Sequence, residues 1–291
     1  MNKRLWVHLA LLLVGIIYGL NYGLAKIVMP TYIGAFGFIN MRVLSAALLF
    51  TVLHFFVSKE RISDRRDYLR LFGLAAMGVA ANQLLFFKGL SLTSPIHASL
   101  IMTTLPIIVL LFSLWLNKEK PTGYKIGGVL LGASGAILLL LSGEIDWGNA
   151  VFAGDLMILL NATTYGYYLV KVKPLMAKYQ ALTVVKWVFL FGALLVLPFG
   201  WSELQAVSWS QLPAQIWWII AFVILGVTFL TYLLNTWALS YVNSSVVGVY
   251  AYIQPVFATL IAIILKQDQL DLPKILFSLL IFAGVFLATK K

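Results

Sequence analysis

The chain has no cysteine and few charged residues for its length. Because no cysteine occurs among the 291 residues, disulfides, thiolate metal sites and cysteine nucleophiles are excluded. Charged residues account for 11% of the chain and apolar residues for 62%, whereas soluble domains contain about 25% and about 45–50%. So few polar groups cannot cover the surface of a soluble protein, and we therefore expect most of the chain to lie in a lipid bilayer.

Long polar segments are also missing, so no separate soluble domain is expected. A helix that spans a bilayer needs about 20 mostly apolar residues, and ten segments of the chain meet this requirement. The sequence thus predicts an all-α polytopic membrane protein with ten transmembrane helices. The predicted spans are residues 5–28, 36–57, 68–90, 95–117, 122–142, 152–172, 182–200, 215–238, 244–266 and 273–289.

The basic residues are distributed unevenly between the two sides of these spans. Sixteen of the 21 Lys and Arg residues fall on the side that also holds both termini. Because the side rich in Lys and Arg is normally cytoplasmic, we expect a multi-pass protein of the inner (plasma) membrane with both termini in the cytoplasm. This orientation accounts for the net charge of +11, and no nucleic-acid partner is expected.

The two halves of the chain repeat each other at low identity. A shift of 147 positions places Lys26 on Lys173, and a shift of 149 aligns much of the third to fifth spans with the eighth to tenth. We therefore predict two five-helix repeats, residues 1–145 and 150–291. Because five is odd, the second repeat enters the membrane upside down relative to the first, as in many secondary transporters.

Two prolines interrupt apolar runs at matching positions of the two halves. Pro106 lies within LIMTTLPIIVLLF and Pro255 within VYAYIQPVFATLI, 149 positions apart. Proline inside a helix costs about 3 kcal/mol, and a broken span is tolerated where the freed carbonyls meet protein, water or a cavity. We predict that both prolines mark helix breaks beside a central path, although simple kinks in packed helices remain the alternative.

Polar side chains recur at helical spacing along several spans, as in Tyr18, Asn21 and Tyr22 of the first. Since polar groups in lipid are costly, such stripes normally face the interior of the bundle. Hydrogen bonding between helices alone, at about 0.6 kcal/mol for each bond, is the alternative interpretation. The candidate transport-path residues are Tyr18, Asn21, Arg42, Asn82, Gln83, Lys88, His97, Thr103, Asn161, Tyr165, Tyr232, Asn235, Tyr252 and Gln254.

Ionisable groups within the spans are few, and no carboxylate lies in the middle of one. Asp155, near the start of the sixth span, is expected to cap that helix, and His97 is expected to be structural. Arg42 and Lys88 lie towards the outer ends of their spans, where long basic side chains snorkel to the interface. If they face the interior instead, they favour substrates that bear a carboxylate or a phosphate.

These residues together resemble a known family over nearly the whole chain. The stretches YGLNYGLAK, GLSLTSPIHASLIMTTLP, AGDLMILLNATTYGYYLV and ALSYVNSSVVGVYAYIQP, with Arg42 early in the second span, resemble EamA-type members of the drug/metabolite transporter superfamily. The resemblance implies ten spans, cytoplasmic termini and inverted five-helix repeats around a central site. It also implies export of small metabolites such as amino acids.

The expected function is therefore a secondary transporter that exports small polar metabolites, either amino-acid-like or organic-anion-like, by alternating access. A passive channel or facilitator is the alternative. An intramembrane serine protease is a weaker one, because Ser134 in GASG has no histidine in a late span to activate it. We expect no enzymatic activity, no cofactor and no metal. The expected partners are a small-molecule substrate and the lipid bilayer, with the protein a monomer or a homodimer.

Overall fold

The structure is a computed structural model that describes residues 3–117, 122–141 and 150–289. These residues form ten helical rods, which we number α1 to α10 in chain order. Two of the rods are broken, and their parts are marked a and b. The bounds are α1 Lys3–Val28, α2 Ala35–Val57, α3 Arg65–Leu92, α4a Pro95–Met102, α4b Leu105–Asn117, α5 Gly123–Leu141, α6 Ala150–Lys178, α7 Ala181–Gln205, α8 Ala214–Leu239, α9a Ser244–Val249, α9b Ile253–Ile264 and α10 Leu272–Thr289.

The rods have the length and composition of membrane-spanning helices. Seven of them, namely α1 to α4 and α7 to α9, are long and apolar enough to cross a bilayer. Shorter apolar stretches, Ile126–Gly135 and Leu272–Gly284, lie in α5 and α10. The prediction of an all-α polytopic membrane protein is confirmed.

Packing joins helices of one half mainly to helices of the other. α2 packs along α7, and α5 packs along α10, so each of these helices contacts its own counterpart. The contact of α1 with α9b has its counterpart in the contact of α6 with α4b. In the same way, the contact of α3 with α6 has its counterpart in the contact of α8 with α1. Exchanging the two halves therefore reproduces the same set of contacts, which is the pattern that a twofold axis between inverted repeats produces. α5 and α10 lie at the periphery, because they contact each other far more than the remaining helices.

The third helix of each half contains a wider turn. In α3 residues Ala76–Ala81 form a π-helix, and in α8 residues Phe222–Leu230 do. A shift of 149 positions places the first segment within the second. Such turns are rare and are found most often at functional sites.

The fourth helix of each half is broken shortly before its proline. α4a ends at Met102, and two turn residues precede α4b, whose second residue is Pro106. α9a ends at Val249, and a 3-10 turn, Tyr250–Tyr252, precedes α9b with Pro255 at its third position. The helix axis is therefore interrupted at equivalent places in both halves.

Glycines of α1 allow this helix to approach α9b closely. A Cβ atom added to Gly19 would lie 2.6 Å from the Cβ atom of Phe257 and 2.8 Å from the carbonyl oxygen of Gln254. No side chain fits at that separation, so the small residue sets the distance between the two helices.

Candidate functional site

A polar cavity lies at the centre of the bundle, between the two halves. It leaves about 60 Å³ for the centres of water molecules, which corresponds to a few waters. Its walls come from α1, α2, α3, α4a, α6, α8 and α9b. The lining residues are Tyr18, Asn21, Tyr22, Arg42, Asn82, Gln83, Phe86, Phe87, Met102, Asn161, Tyr165, Val227, Tyr232 and Gln254.

Arg42 brings a buried positive charge to this cavity. Its Nε and one terminal nitrogen (NH2) donate to the hydroxyl oxygen of Thr228 at 3.0 and 2.7 Å, while the other terminal nitrogen (NH1) has no partner. The guanidinium carbon lies 4.0 Å from the centre of the Phe87 ring. No Asp or Glu occurs in the described lining. The interpretation that Arg42 snorkels to the interface is wrong, because its side chain turns inward and is only 2% exposed.

Amide groups supply most of the remaining polarity. Asn161 Nδ2 donates to the backbone oxygen of Asn82 at 2.7 Å, which ties α6 to α3 just beyond the π turn. Tyr22 donates to Gln254 Oε1 at 3.0 Å, which ties α1 to α9b. The side-chain oxygens of Asn21, Gln83 and Asn161 are buried without a hydrogen-bond donor, so the cavity offers both an unpaired cationic donor and unpaired acceptors.

A second, smaller space continues from the cavity towards the start of α1 and α9a. Tyr18, Tyr165 and Gln254 line both spaces. Asn235 lines the second, and its Nδ2 donates to the Tyr165 hydroxyl at 3.2 Å. The two tyrosines thus lie where the central cavity meets a path towards one end of the bundle.

Four predicted path residues do not line either space. Lys88 lies with Nζ 5.8 Å from the centre of the Phe36 ring, and Thr103 is buried and donates to its own helix at Leu100 O. Tyr252 faces α10, where its ring meets Phe282. His97 pairs with Asp155, as described next. A transport role for the candidate residues stays a prediction, and these four are the ones that the structure does not bring to the cavity.

Asp155 does not cap a helix, so that prediction is wrong. α6 has already begun at Ala150, and the Asp155 carboxylate is buried, accepting from the Thr93 hydroxyl and contacting His97 Nδ1, both at 2.5 Å. The sequence position near the start of an apolar run suggested a cap, but burial against the α3–α4 turn decides its role. His97 and Thr93 belong to the first half of the chain, so this contact ties the two halves together.

The two ends of the bundle are each held by a lysine. We call the end where α1 finishes and α4 begins the outer end, and the opposite end the inner end, following the predicted orientation. At the outer end, Lys26 of α1 donates to the carbonyl oxygen of Thr93 in the α3–α4 turn. At the inner end, Lys173 of α6 donates to the carbonyl oxygen of Val242 at 3.5 Å and to the side chain of Asn243 in the α8–α9 turn.

These lysine contacts are equivalent in the two repeats. The shift that places Lys26 on Lys173 is 147 positions, and the shift that places Thr93 on Val242 is 149. Each lysine therefore holds the turn after the third helix of its own half, once at each end. We call these two contacts the outer and the inner lysine clamp.

Further polar contacts strengthen the outer clamp. Asp268, in the loop before α10, accepts from the backbone nitrogen of Ile96 at 3.2 Å and pairs with Lys274 at 3.1 Å. Together with Asp155 and His97, this joins α4a, α6 and the loop before α10. At the inner end, His8 Nδ1 and the Tyr250 hydroxyl lie 2.7 Å apart, joining α1 to the break in α9.

The family model for the EamA-like transporter family matches the chain twice, over residues 5–141 and 152–290. The chain belongs to the EamA-like transporter family. The two matches correspond to α1–α5 and α6–α10, so the chain carries two EamA repeats. The division of the chain at residues 1–145 and 150–291 stays a prediction.

Several known proteins match between 77% and 99% of the chain at low identity. An uncharacterized transporter, YyaM, of Bacillus subtilis is 23% identical over 99% of this chain and 94% of its own. An uncharacterized transporter of Archaeoglobus fulgidus is 25% identical over 77% of both chains. The protein WALLS ARE THIN 1 of Arabidopsis thaliana is 23% identical over 98% of this chain and 82% of its own.

A solved structure shares the fold. A crystal structure of a protein with 17% sequence identity superposes with a TM-score of 0.66 and covers 96% of both chains. At this identity the likeness concerns the fold alone. EamA membership and the relatives' names indicate a transporter rather than an enzyme, and Ser134 fits that reading, since it is exposed and donates to Leu131 O of its own helix.

Some cavity residues could not be selected from the sequence. Phe86, Phe87, Met102 and Val227 line the cavity, but apolar residues in an apolar chain carry no signal of their own. Tyr22 also lines the cavity and was not among the candidate path residues, although the sequence pattern places it on one helix face with Tyr18 and Asn21 and could have found it. Among the described residues, no three His, Asp or Glu side chains come together to hold a metal ion.

Proposed function

We propose that this EamA protein is a secondary transporter that exports small, carboxylate-bearing metabolites across the inner membrane by alternating access. The observation that carries the proposal is Arg42, a buried guanidinium in the central cavity whose described surroundings contain no acid. An unpaired charge in a low-dielectric interior is costly. A substrate carboxylate would supply the missing countercharge, and the free NH1 group would donate to it.

The other cavity groups favour a substrate with donors as well as an acid. The unpaired oxygens of Asn21, Gln83 and Asn161 accept hydrogen bonds from an ammonium or a hydroxyl group. The rings of Tyr18, Tyr22, Phe86, Phe87, Tyr165 and Tyr232 supply an apolar wall. This combination supports amino-acid-like substrates first and hydroxylated organic anions second.

The lysine clamps support alternating access. Each clamp closes one end by joining the first helix of a repeat to the turn between the third and fourth helices of the same repeat, and both are formed in this structure. Release of one clamp while the other stays formed would open the cavity to one side only, which distinguishes a transporter from a channel. The broken helices α4 and α9 provide points where each half can bend.

Export and orientation rest on other grounds. The direction follows from the family resemblance, and cytoplasmic termini in the inner membrane follow from the distribution of Lys and Arg. Neither depends on the geometry of the cavity. Counterflow in proteoliposomes separates an alternating-access carrier from a channel, because only a carrier transiently accumulates labelled substrate when unlabelled substrate is placed inside.

The experiment on the substrate uses Arg42→Gln, with Lys88→Gln as the matched control. Both variants remove one cation from a helix of the first half, but Lys88 lies outside the cavity. Counterflow of labelled amino acids and hydroxy acids is measured in proteoliposomes, together with the melting temperature of each purified variant. We expect Arg42→Gln to lose carboxylate transport by at least about ten-fold, and Lys88→Gln to retain it. Wild-type counterflow of carboxylates by a folded Arg42→Gln variant would show that the proposal is wrong.

A further inference from the structure

A groove separate from the cavity runs between α3 and α6 near the inner end. Beyond the π turn, the second part of α3 packs closely on α6, whereas the first part, Arg65–Ala75, leans on α7 instead. The two helices therefore diverge towards the start of α3 and leave a groove of about 610 Å³. It shares no lining residue with the central cavity, so an inference from it does not depend on the proposed substrate.

The floor of this groove is apolar and open to the lipid side. Leu69 is 76% exposed and Met77 41% exposed, although both are large apolar residues. Gly73 lies between them, and a Cβ atom added there would meet nothing within 4 Å. The glycine thus leaves a channel along α3 that an extended hydrocarbon chain could occupy.

Basic side chains line the inner end of the same groove. Arg70, Lys171 and Lys178 are part of its wall. One buried carboxylate, Asp67, lies beside them and contacts Arg70 NH1 at 2.8 Å and Lys178 Nζ at 2.5 Å. A second carboxylate is close by, since Asp64 Oδ2 lies 3.8 Å from Lys178 Nζ. Three cations thus face two carboxylates, and the site keeps a net positive charge.

Lys171 carries the unneutralised part of that charge. It is exposed and, within the part of the chain that the structure describes, has no hydrogen bond and no ion pair. Asp67 meanwhile holds Arg70 and Lys178 at the edge of the groove, with a further hydrogen bond from Tyr179 at 2.8 Å. The basic rim is therefore fixed in place, and one cation beside it remains available.

We propose that this groove binds an anionic phospholipid. The phosphate would contact Lys171, Arg70 and Lys178, and one acyl chain would lie along Leu69, Gly73 and Met77. Basic pockets between membrane helices suit anionic headgroups, because each basic residue is attracted electrostatically to the negative charge of the lipid. A free phosphate would leave the apolar floor uncovered, which is why the groove fits a lipid better than an inorganic anion.

The test measures lipid retention with two variants that alter different parts of the groove. Lys171→Gln removes the free cation, and Lys59→Gln, an exposed lysine of the α2–α3 loop outside the groove, is its matched control. Gly73→Leu fills the channel, and Gly73→Ala is the control that adds only a methyl group. Neither glycine variant is expected to unfold the protein, because the space beside Gly73 is open and glycine is a poor helix former.

Each full-length variant is purified in neutral detergent and titrated with phosphatidylglycerol or phosphatidylcholine, and bound lipid is counted by native mass spectrometry. We expect phosphatidylglycerol binding to weaken about five-fold in Lys171→Gln and at least as much in Gly73→Leu, with little change in either control. Phosphatidylcholine is expected to bind weakly throughout. Equal binding of the two lipids, or phosphatidylglycerol binding as tight as in the wild type in either Lys171→Gln or Gly73→Leu, would overturn the proposal.

Discussion

Gln83 of α3 donates from Nε2 to the hydroxyl oxygen of Tyr232 of α8 at 3.5 Å, and the two residues are 149 positions apart. That separation is the shift that superposes the two halves of the chain, so these residues occupy the same place in the two repeats. Only residues beside a twofold axis can meet their own counterparts. Both lie two residues beyond the π turns of their helices, and both line the cavity, so the cavity lies at the axis.

Tyr232→Phe is expected to loosen this centre. The Tyr232 hydroxyl donates to the carbonyl oxygen of Gly78 within the π turn of α3 at 3.1 Å, and the variant loses this buried hydrogen bond. We expect the variant to be about 1 kcal/mol less stable and to bind substrate several-fold more weakly. Tyr241→Phe, at the exposed end of α8, is the control for melting temperature and affinity. Equal behaviour of the two variants would contradict a central role for Tyr232.

The lysine clamps predict opposite effects at the two ends. Lys26→Gln should favour opening at the outer end and Lys173→Gln at the inner end, since each loses a charge-assisted hydrogen bond to its turn. Because the chain has no cysteine, a single Met102→Cys change in the cavity wall provides a label site. We expect an impermeant thiol reagent to label it about five-fold faster from the outside in Lys26→Gln and from the inside in Lys173→Gln.

Exposed lysines at the same ends serve as controls for these measurements. Lys266→Gln at the outer end and Lys59→Gln at the inner end remove the same charge without touching a clamp. We expect no change in the labelling of Met102→Cys from the outside in Lys266→Gln or from the inside in Lys59→Gln. If both clamp variants open the same side, or neither opens any, the clamps do not govern access.

Asp155→Asn is expected to weaken the outer end. The carboxylate is 1% exposed and accepts a hydrogen bond from Thr93 while it contacts His97, and hydrogen bonds to charged groups contribute about 1.5–3 kcal/mol. We expect a lower melting temperature and faster labelling of Met102→Cys from the outside. Asp271→Asn is the control, and we expect a much smaller effect on both, because its side chain is 53% exposed and its pair with Lys274 at 3.2 Å is an exposed one. A melting temperature unaffected by Asp155→Asn would mean that the buried contact contributes little.

Removal of the prolines is expected to separate stability from transport. Pro106 cannot donate to the carbonyl oxygen of Met102, a cavity residue, and Pro255 cannot donate to that of Ala251. Pro106→Ala and Pro255→Ala should restore these donors, raise the melting temperature and slow counterflow. Pro174→Ala, inside α6 away from both breaks, is the control. Wild-type transport rates in both break variants would indicate that the interruptions serve packing alone.

The sequence was sufficient to predict the ten helices and the repeat, because each depends on local composition and on a regular shift. The stripe of Tyr18, Asn21 and Tyr22 also pointed correctly to the interior, since polar groups in a membrane have few other places to lie. Asp155 was misplaced for a different reason. Its partners, Thr93 and His97, are far away in the sequence, and only packing of α6 against the α3–α4 turn brings them together.

Lys26 and Lys173 show the same limit more clearly. Their equivalence could be read from the sequence, but their targets could not, because each is a backbone carbonyl of a turn 67 or 69 positions further along the chain. A backbone acceptor leaves no trace in residue identity. Arg42 likewise lies two turns from the end of its helix, and whether such a side chain turns outward or inward depends on neighbours such as Phe87 and Thr228.

The π turn of α3 has a consequence for comparing this chain with others. A π turn holds one residue more than an α turn, so a relative whose third helix is wholly α-helical would need a one-residue gap between Ala76 and Ala81 to keep both of its ends in register. Without the gap, the part that contains Asp67 would be turned by about 100° relative to Asn82. Alignments that ignore this turn would assign the wrong counterparts either to the cavity or to the basic groove, although every residue pair would look equally similar.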